Sequence, residues 1–177
     1  MINFKGSNPK ILVIGDLMID HYLWGSCERI SPEAPVQVID VTNESYFLGG
    51  AGNVVNNLQV LGADVEIISV IGKCDVSNKL IELLEDINVN TDKLVIQKNR
   101  ISSKKSRIIS SQQQVVRYDR ESTDEIDEKS QKTILNQLKK NIVDYDVILL
   151  SDYGKGVLTQ ELTKSIITIA NKHQKKV

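Results

Sequence analysis

Cysteine is nearly absent, with Cys27 and Cys74 the only two in 177 residues. Two cysteines cannot build a disulfide framework, and neither sits in the Cys/His spacing of a structural zinc site, so a reducing compartment is expected. Long apolar runs are also missing. The N-terminal run Ile11-Leu12-Val13-Ile14 is closed after four residues by Gly15-Asp16, too short for a secretory signal or a membrane span. Charge of one sign is not in excess: 22 basic against 23 acidic residues give a net charge of −1, and the basic residues are spread along the chain. No electrostatic footprint for nucleic acid or an anionic membrane results, and a small polar substrate in the cytoplasm fits better. Fixed-period repeats and low-complexity tracts are absent too.

What is present is an alternation of buried-type strands and amphipathic helices. Lys10 to Ile14 is short and β-branched, as in a strand covered on both faces. From Asp20 to Leu48, segments rich in Val, Ile, Tyr and Trp are broken by Gly25, Ser31-Pro32 and Pro35, which excludes a helix of ordinary length. Gly49-Gly50-Ala51-Gly52 then opens a helix with Val54, Val55, Leu58 and Leu61 on one face and Gly62 at its end. Val65 to Ile71 reads as a second buried strand, and Leu80, Leu83, Leu84 and Ile87 as the stripe of a second helix. Between Val95 and Arg120 the pattern returns to β, with a Ser-Ser-Gln-Gln hairpin turn between Ile108-Ile109 and Val115-Val116. A helix with Ile134, Leu135, Leu138 and Ile142, a strand at Val147 to Leu150 and a helix from Leu158 to Lys172 follow. Lys175-Lys176-Val177 looks like the start of a further strand, so the chain reads as a piece of a larger α/β unit. The expected architecture is one parallel α/β sheet flanked by helices, with β inserts at about 20–48 and 95–120 projecting as a lid.

Open α/β sheets bind ligands beyond the carboxyl ends of their strands. Polar residues gather at three such places: Asp16 and Asp20; Gly49, Gly50 and Asn53; and Asp152, Tyr153 and Lys155. Carboxylates and an amide can pair with several hydroxyls while glycine admits close backbone approach, which suits a polyol. The competing reading of Asp16 and Asp152 is a cap or turn former. Gly49 to Gly52 lacks the third glycine of a dinucleotide cradle, where Val55 stands, and Gly154-Lys155-Gly156 lacks the full P-loop spacing. His21 and His173 are far apart, so no metal site is assigned.

The order of these signals resembles a known family. Gly49-Gly50-Ala51-Gly52-Asn53, followed by Gly62 and Gly72, is similar to the N-terminal signature of ribokinase-like (PfkB-type) carbohydrate kinases. Val55 departs from the Ser, Thr or Ala usual there. Gly15-Asp16-Leu17-Met18-Ile19-Asp20, Ile30-Ser31-Pro32-Glu33-Ala34-Pro35 and Leu150-Ser151-Asp152-Tyr153-Gly154-Lys155-Gly156 look like the branch acting on heptose 7-phosphate. The resemblance runs from Ile11 to Val177.

It implies phosphorylation of D-glycero-β-D-manno-heptose 7-phosphate at the anomeric hydroxyl, with ATP and Mg²⁺, for ADP-heptose and lipopolysaccharide synthesis. It also implies that Asp20, Gly49, Gly50 and Asn53 hold sugar hydroxyls under the lid, and that the catalytic base belongs to a Gly-Ala-Gly-Asp motif beyond Val177. No catalytic residue is therefore expected within this chain, nor bound ATP, nor activity by itself. Lys105 and Arg107 share a strand face, and with Arg117 they are the candidates for the 7-phosphate, because guanidinium grips phosphate bidentately. Asp152 completes the candidate substrate contacts. Another ribokinase-like sugar kinase and a non-catalytic sugar-binding module remain as alternatives.

A homodimer through the lids is expected as well, as in family members whose lids form a clasp. In an extended segment Asp20, Tyr22 and Trp24 share one face and His21 and Leu23 the other. Val36, Val38, Ile39 and Val41 likewise put apolar groups on both sides. One face can cover a sugar, and the other needs a partner.

Overall fold

The structure is a computed structural model that describes residues 8–177. Strand β1 (Lys10–Gly15) is central in a three-stranded sheet, with β4 (Asp64–Ile68) on one side and β9 (Val147–Ser151) on the other, all parallel. Its run has no polar alternation because both faces are covered. Leu12 and Ile14 pack with Ile134 and Leu138 of α3 (Glu128–Asn141) and with Leu162 and Ile166 of α4 (Gln160–Lys172). Ile11 and Val13 point the other way and pack with Val55 of α1 (Ala51–Val60) and Leu80 and Leu84 of α2 (Asp75–Asp86). Lys176 bridges Val147 in parallel, so the last residues do begin to extend the sheet beyond β9.

Two of the helices begin at side-chain caps. Asp127 caps α3 by accepting from the Ser130 amide at 2.7 Å, and Thr159 caps α4 by accepting from the Leu162 amide at 3.1 Å. The expected stripe of α1 is narrower than the sequence suggests: Val55 is fully buried, whereas Leu61 falls past the helix and is 48% exposed. The expected strand Val65 to Ile71 is two strands. Ser69 interrupts it, donating its buried hydroxyl to the Gly15 carbonyl at 2.6 Å, and β5 (Val70–Ile71) pairs instead with β6 (Val95–Ile96).

The lid is a separate four-stranded sheet of order β3-β2-β7-β8. Strand β2 (Leu17–Ile30) leaves the body one residue after β1 and returns as β3 (Gln37–Gly50), both far longer than the punctuated segments of the sequence imply. β7 (Ser103–Ser110) adds in parallel to β2, and β8 (Gln113–Arg120) closes antiparallel on β7. The hairpin between them turns at Ser111 and Gln112, both with positive φ. The second insert thus begins at Ser103 rather than at Val95, because Val95–Ile96 pair with the body side. Buried at its root, β2 becomes exposed at Trp24, so the lid projects as a single layer.

Candidate functional site

Where the lid springs from the body, a cavity of about 370 Å³ is lined by Asp20, Tyr22, Trp24, Phe47, Leu48 and Asn53. Pairing places Asp20 opposite Phe47 across β2 and β3, and Asn53 arrives on the first turn of α1, directly after β3. The glycines act by making room. A Cβ on Gly49 would stand 2.6 Å from Asp20 Oδ2, and one on Gly50 would stand 2.5 Å from the Asp16 carbonyl oxygen. Gly50 also has φ of +56°, a conformation that L side chains rarely adopt. The turn into α1 thereby stays tight, with the Ala51 amide donating to the Asp16 carbonyl at 2.9 Å.

Asp20 is not alone. Arg107 Nη1 donates to Asp20 Oδ1 at 2.6 Å, both side chains being largely buried, and the guanidinium lies 5.2 Å from the centroid of the Tyr22 ring. Lys105, on the same face, meets Asp119 at 2.8 Å and Glu121 at 3.6 Å. Arg117 is half exposed and meets Asp119 at 3.2 Å. Lys105 holds the Asp119 carboxyl below its ordinary range through their hydrogen bond. The three candidate phosphate cations therefore lie on one lid face, each already beside a carboxylate. Asp152 stands apart from the cavity lining: it is exposed and accepts from the Gly154 amide at 2.8 Å, as a turn former does.

Two residues shape the site from behind. Asp16, 1% exposed, accepts from the amides of Tyr153, Lys155 and Val157 at 2.8, 3.1 and 3.1 Å, which fixes the loop after β9. Arg100 is buried and donates to the carbonyls of Asp124 and Lys155, with burial depressing its pKa. Nothing in the sequence around Arg100 marks it, since a lone arginine after Lys98-Asn99 reads as surface. Phe47 was equally hidden, because only the register of β3 on β2 turns it toward Asp20. Tyr22 and Trp24 are legible from strand alternation.

On the opposite lid face, His21 is buried between Ser106 Oγ at 2.8 Å and Glu44 Oε1 at 2.5 Å, stacked on Tyr46 at 4.5 Å. Tyr46 also donates to Glu44 at 2.5 Å. That bond lowers the Glu44 pKa and pushes Tyr46 up to about 12. Among the described residues, no three His, Cys, Asp or Glu side chains are grouped to hold a metal.

The family model described as pfkB family carbohydrate kinase matches residues 8–177. The chain belongs to this family. Among curated relatives, it is 64% identical over 169 residues to "Bifunctional protein HldE" of Aliarcobacter butzleri, covering 96% of this chain and 36% of that protein. It is 49% identical over 177 residues to the protein of the same name from Helicobacter hepaticus, covering 100% of this chain and 37% of that protein. The chain thus spans about a third of the length of the curated relatives it matches. Among solved structures, a putative phosphofructokinase from Staphylococcus aureus superposes with a TM-score of 0.73 at 14% identity, over 94% of this chain and 51% of that one. Arabidopsis thaliana ribokinase complexed with ribose and ATP gives 0.63 at 12% identity, over 96% and 52%. At such identities these two show the fold alone, which is the ribokinase-like α/β fold. No helix among the described residues is long and apolar enough to cross a membrane.

Proposed function

We propose that this chain is the sugar-gripping part of a kinase that phosphorylates D-glycero-β-D-manno-heptose 7-phosphate at its anomeric hydroxyl, in ADP-heptose synthesis. The observation that carries the reading is the cavity at the root of the lid, which the Asp20 carboxylate and Asn53 both line, with Gly49 close against Asp20. Asp20 accepts from sugar hydroxyls with the oxygen capacity that its contact to Arg107 leaves over. Asn53 both donates and accepts. The lid excludes water over the reacting end of the sugar, while Arg107 and Arg117 face its 7-phosphate.

ATP and Mg²⁺ would supply the phosphoryl group and its charge neutralisation in the complete kinase. Among the described residues no three His, Cys, Asp or Glu side chains are grouped to hold a metal, and Gly154-Lys155-Gly156 lacks the full P-loop spacing, so no step is routed through either group. The catalytic base is assigned to the longer protein.

Calorimetric titration of the chain with heptose 7-phosphate, fructose 6-phosphate and ribose tests the reading. Preferential binding of the heptose phosphate is expected, with Arg107→Ala and Arg117→Ala costing it more affinity than its unphosphorylated analogue. Preference for another sugar, or equal losses on both ligands, would overturn the substrate or the phosphate contacts respectively. The lids are further proposed to join two copies through the face that carries Leu23, where a single layer leaves apolar groups without cover.

A further inference from the structure

Three aromatic rings in the cavity are not explained by hydrogen bonding to a sugar. Tyr22 and Trp24 sit two residues apart on β2, stacked at 6.1 Å with an interplanar angle of 20°, and Phe47 meets the Tyr22 ring edge-on at 5.8 Å. Trp24 is 41% and Phe47 56% exposed. Both line the same cavity as Asp20 and Asn53. Scattered exposed apolar residues need no explanation, but contiguous rings beside converging polar groups mark a ligand groove.

The ring positions also divide the cavity chemically. Arg107 covers the Tyr22 ring and ties up one oxygen of Asp20, so the polar end lies at the lid root. Trp24 lies farther out along β2, and its indole nitrogen reaches Ser45 Oγ only at 3.4 Å. A ligand spanning both ends needs hydroxyls at one and a stack of C–H groups at the other. A sugar has both, because its hydroxyls leave C–H patches on the ring faces that pack against the negative face of an aromatic ring.

We propose that Trp24 and Phe47 form a platform for a C–H face of the sugar, making them substrate-positioning residues. This rests on the reading of the cavity as a sugar site. The platform accounts for how a small open cavity holds a strongly hydrated ligand: Asp20 and Asn53 orient it, and the rings supply desolvated contact area.

Trp24 is the single tryptophan of the chain, so its fluorescence reports on the platform directly. The full chain is titrated with heptose 7-phosphate and, separately, with inorganic phosphate, while calorimetry follows Trp24→Ala, Trp24→Phe, Phe47→Ala and Asp20→Asn. The expected result is a saturable change in Trp24 emission with the sugar phosphate and none with phosphate. Loss of either ring should weaken binding roughly tenfold, with Trp24→Phe in between. Circular dichroism of each variant identifies any that fail to fold, and the conservative Trp24→Phe covers that event. Sugar binding that Asp20→Asn weakens but neither ring variant alters would overturn the platform and leave the sugar site standing. Absence of sugar binding would overturn both. Emission that follows protein concentration instead of sugar would assign the rings to a contact between copies and overturn the platform.

Discussion

Gly49→Ala isolates the geometric relation on which the site depends. The new methyl would stand 2.6 Å from Asp20 Oδ2 and 2.8 Å from Met18 Cγ, far inside contact distance, so something must move. Asp20 moves most easily, because its carboxylate is the end of a short side chain, and it leaves its contact with Arg107 as it goes. Overpacking of this kind costs about 1–3 kcal/mol of stability, and a yielding carboxylate puts this case at the low end. Sugar hydroxyls that lose their acceptor cost about 1–3 kcal/mol of binding, which is roughly a 5- to 150-fold loss of affinity. Urea unfolding and calorimetry with heptose 7-phosphate measure the two quantities separately. A double-mutant cycle with Asp20→Ala sharpens the test, since Gly49→Ala should subtract little affinity once the carboxylate is gone. Full additivity of the two losses, or unchanged affinity in Gly49→Ala, would refute the claim that Gly49 acts by seating Asp20. Gly50→Ala provides the contrast: its methyl meets backbone and its φ is positive, so it should lower stability of the whole chain.

Glu66 sets an acid limit on stability. Burial alone would raise its pKa, but hydrogen bonds from Lys93, Tyr145 and Lys10 outweigh that and hold it at about 2. A depressed folded pKa contributes stability above the ordinary value of 4.5, and that stability is lost as pH falls toward 2. The contribution is on the order of 3 kcal/mol. Glu66→Gln should flatten the acid limb of a pH–stability curve, and an unchanged limb would show that other carboxylates set it. Arg100→Met leaves the Asp124 and Lys155 carbonyls without their charged donor, and a loss of roughly 1.5–3 kcal/mol in urea unfolding is expected. Unchanged stability would mean that water serves these carbonyls equally well. Sedimentation at micromolar concentration should show a dimer that Leu23→Glu and Val38→Glu together dissociate. A monomer, or a dimer indifferent to both changes, would place the contact elsewhere or remove it.

The sequence by itself determined the elements whose burial is periodic. Ile11 to Ile14 had to be covered on both faces, and Ile134, Leu138 and Ile142 had to face inward, because only those patterns bury apolar surface without burying unpaired polar groups. The glycine pair Gly49-Gly50 before a helix was equally legible as a place of close approach, since glycine admits backbone conformations and contacts that a Cβ forbids. Tertiary structure alone decided what these residues meet. The ion pair of Asp20 with Arg107 spans 87 positions and exists because β7 joins β2 in one particular parallel register. A slip of one residue would turn Arg107 to the other face. The same holds for Phe47 against Asp20, for Asp16 serving the loop after β9, and for Asp152, which faces solvent although its motif resembled a sugar contact. Local patterns fix which face a side chain takes, while pairing between distant strands fixes its neighbours.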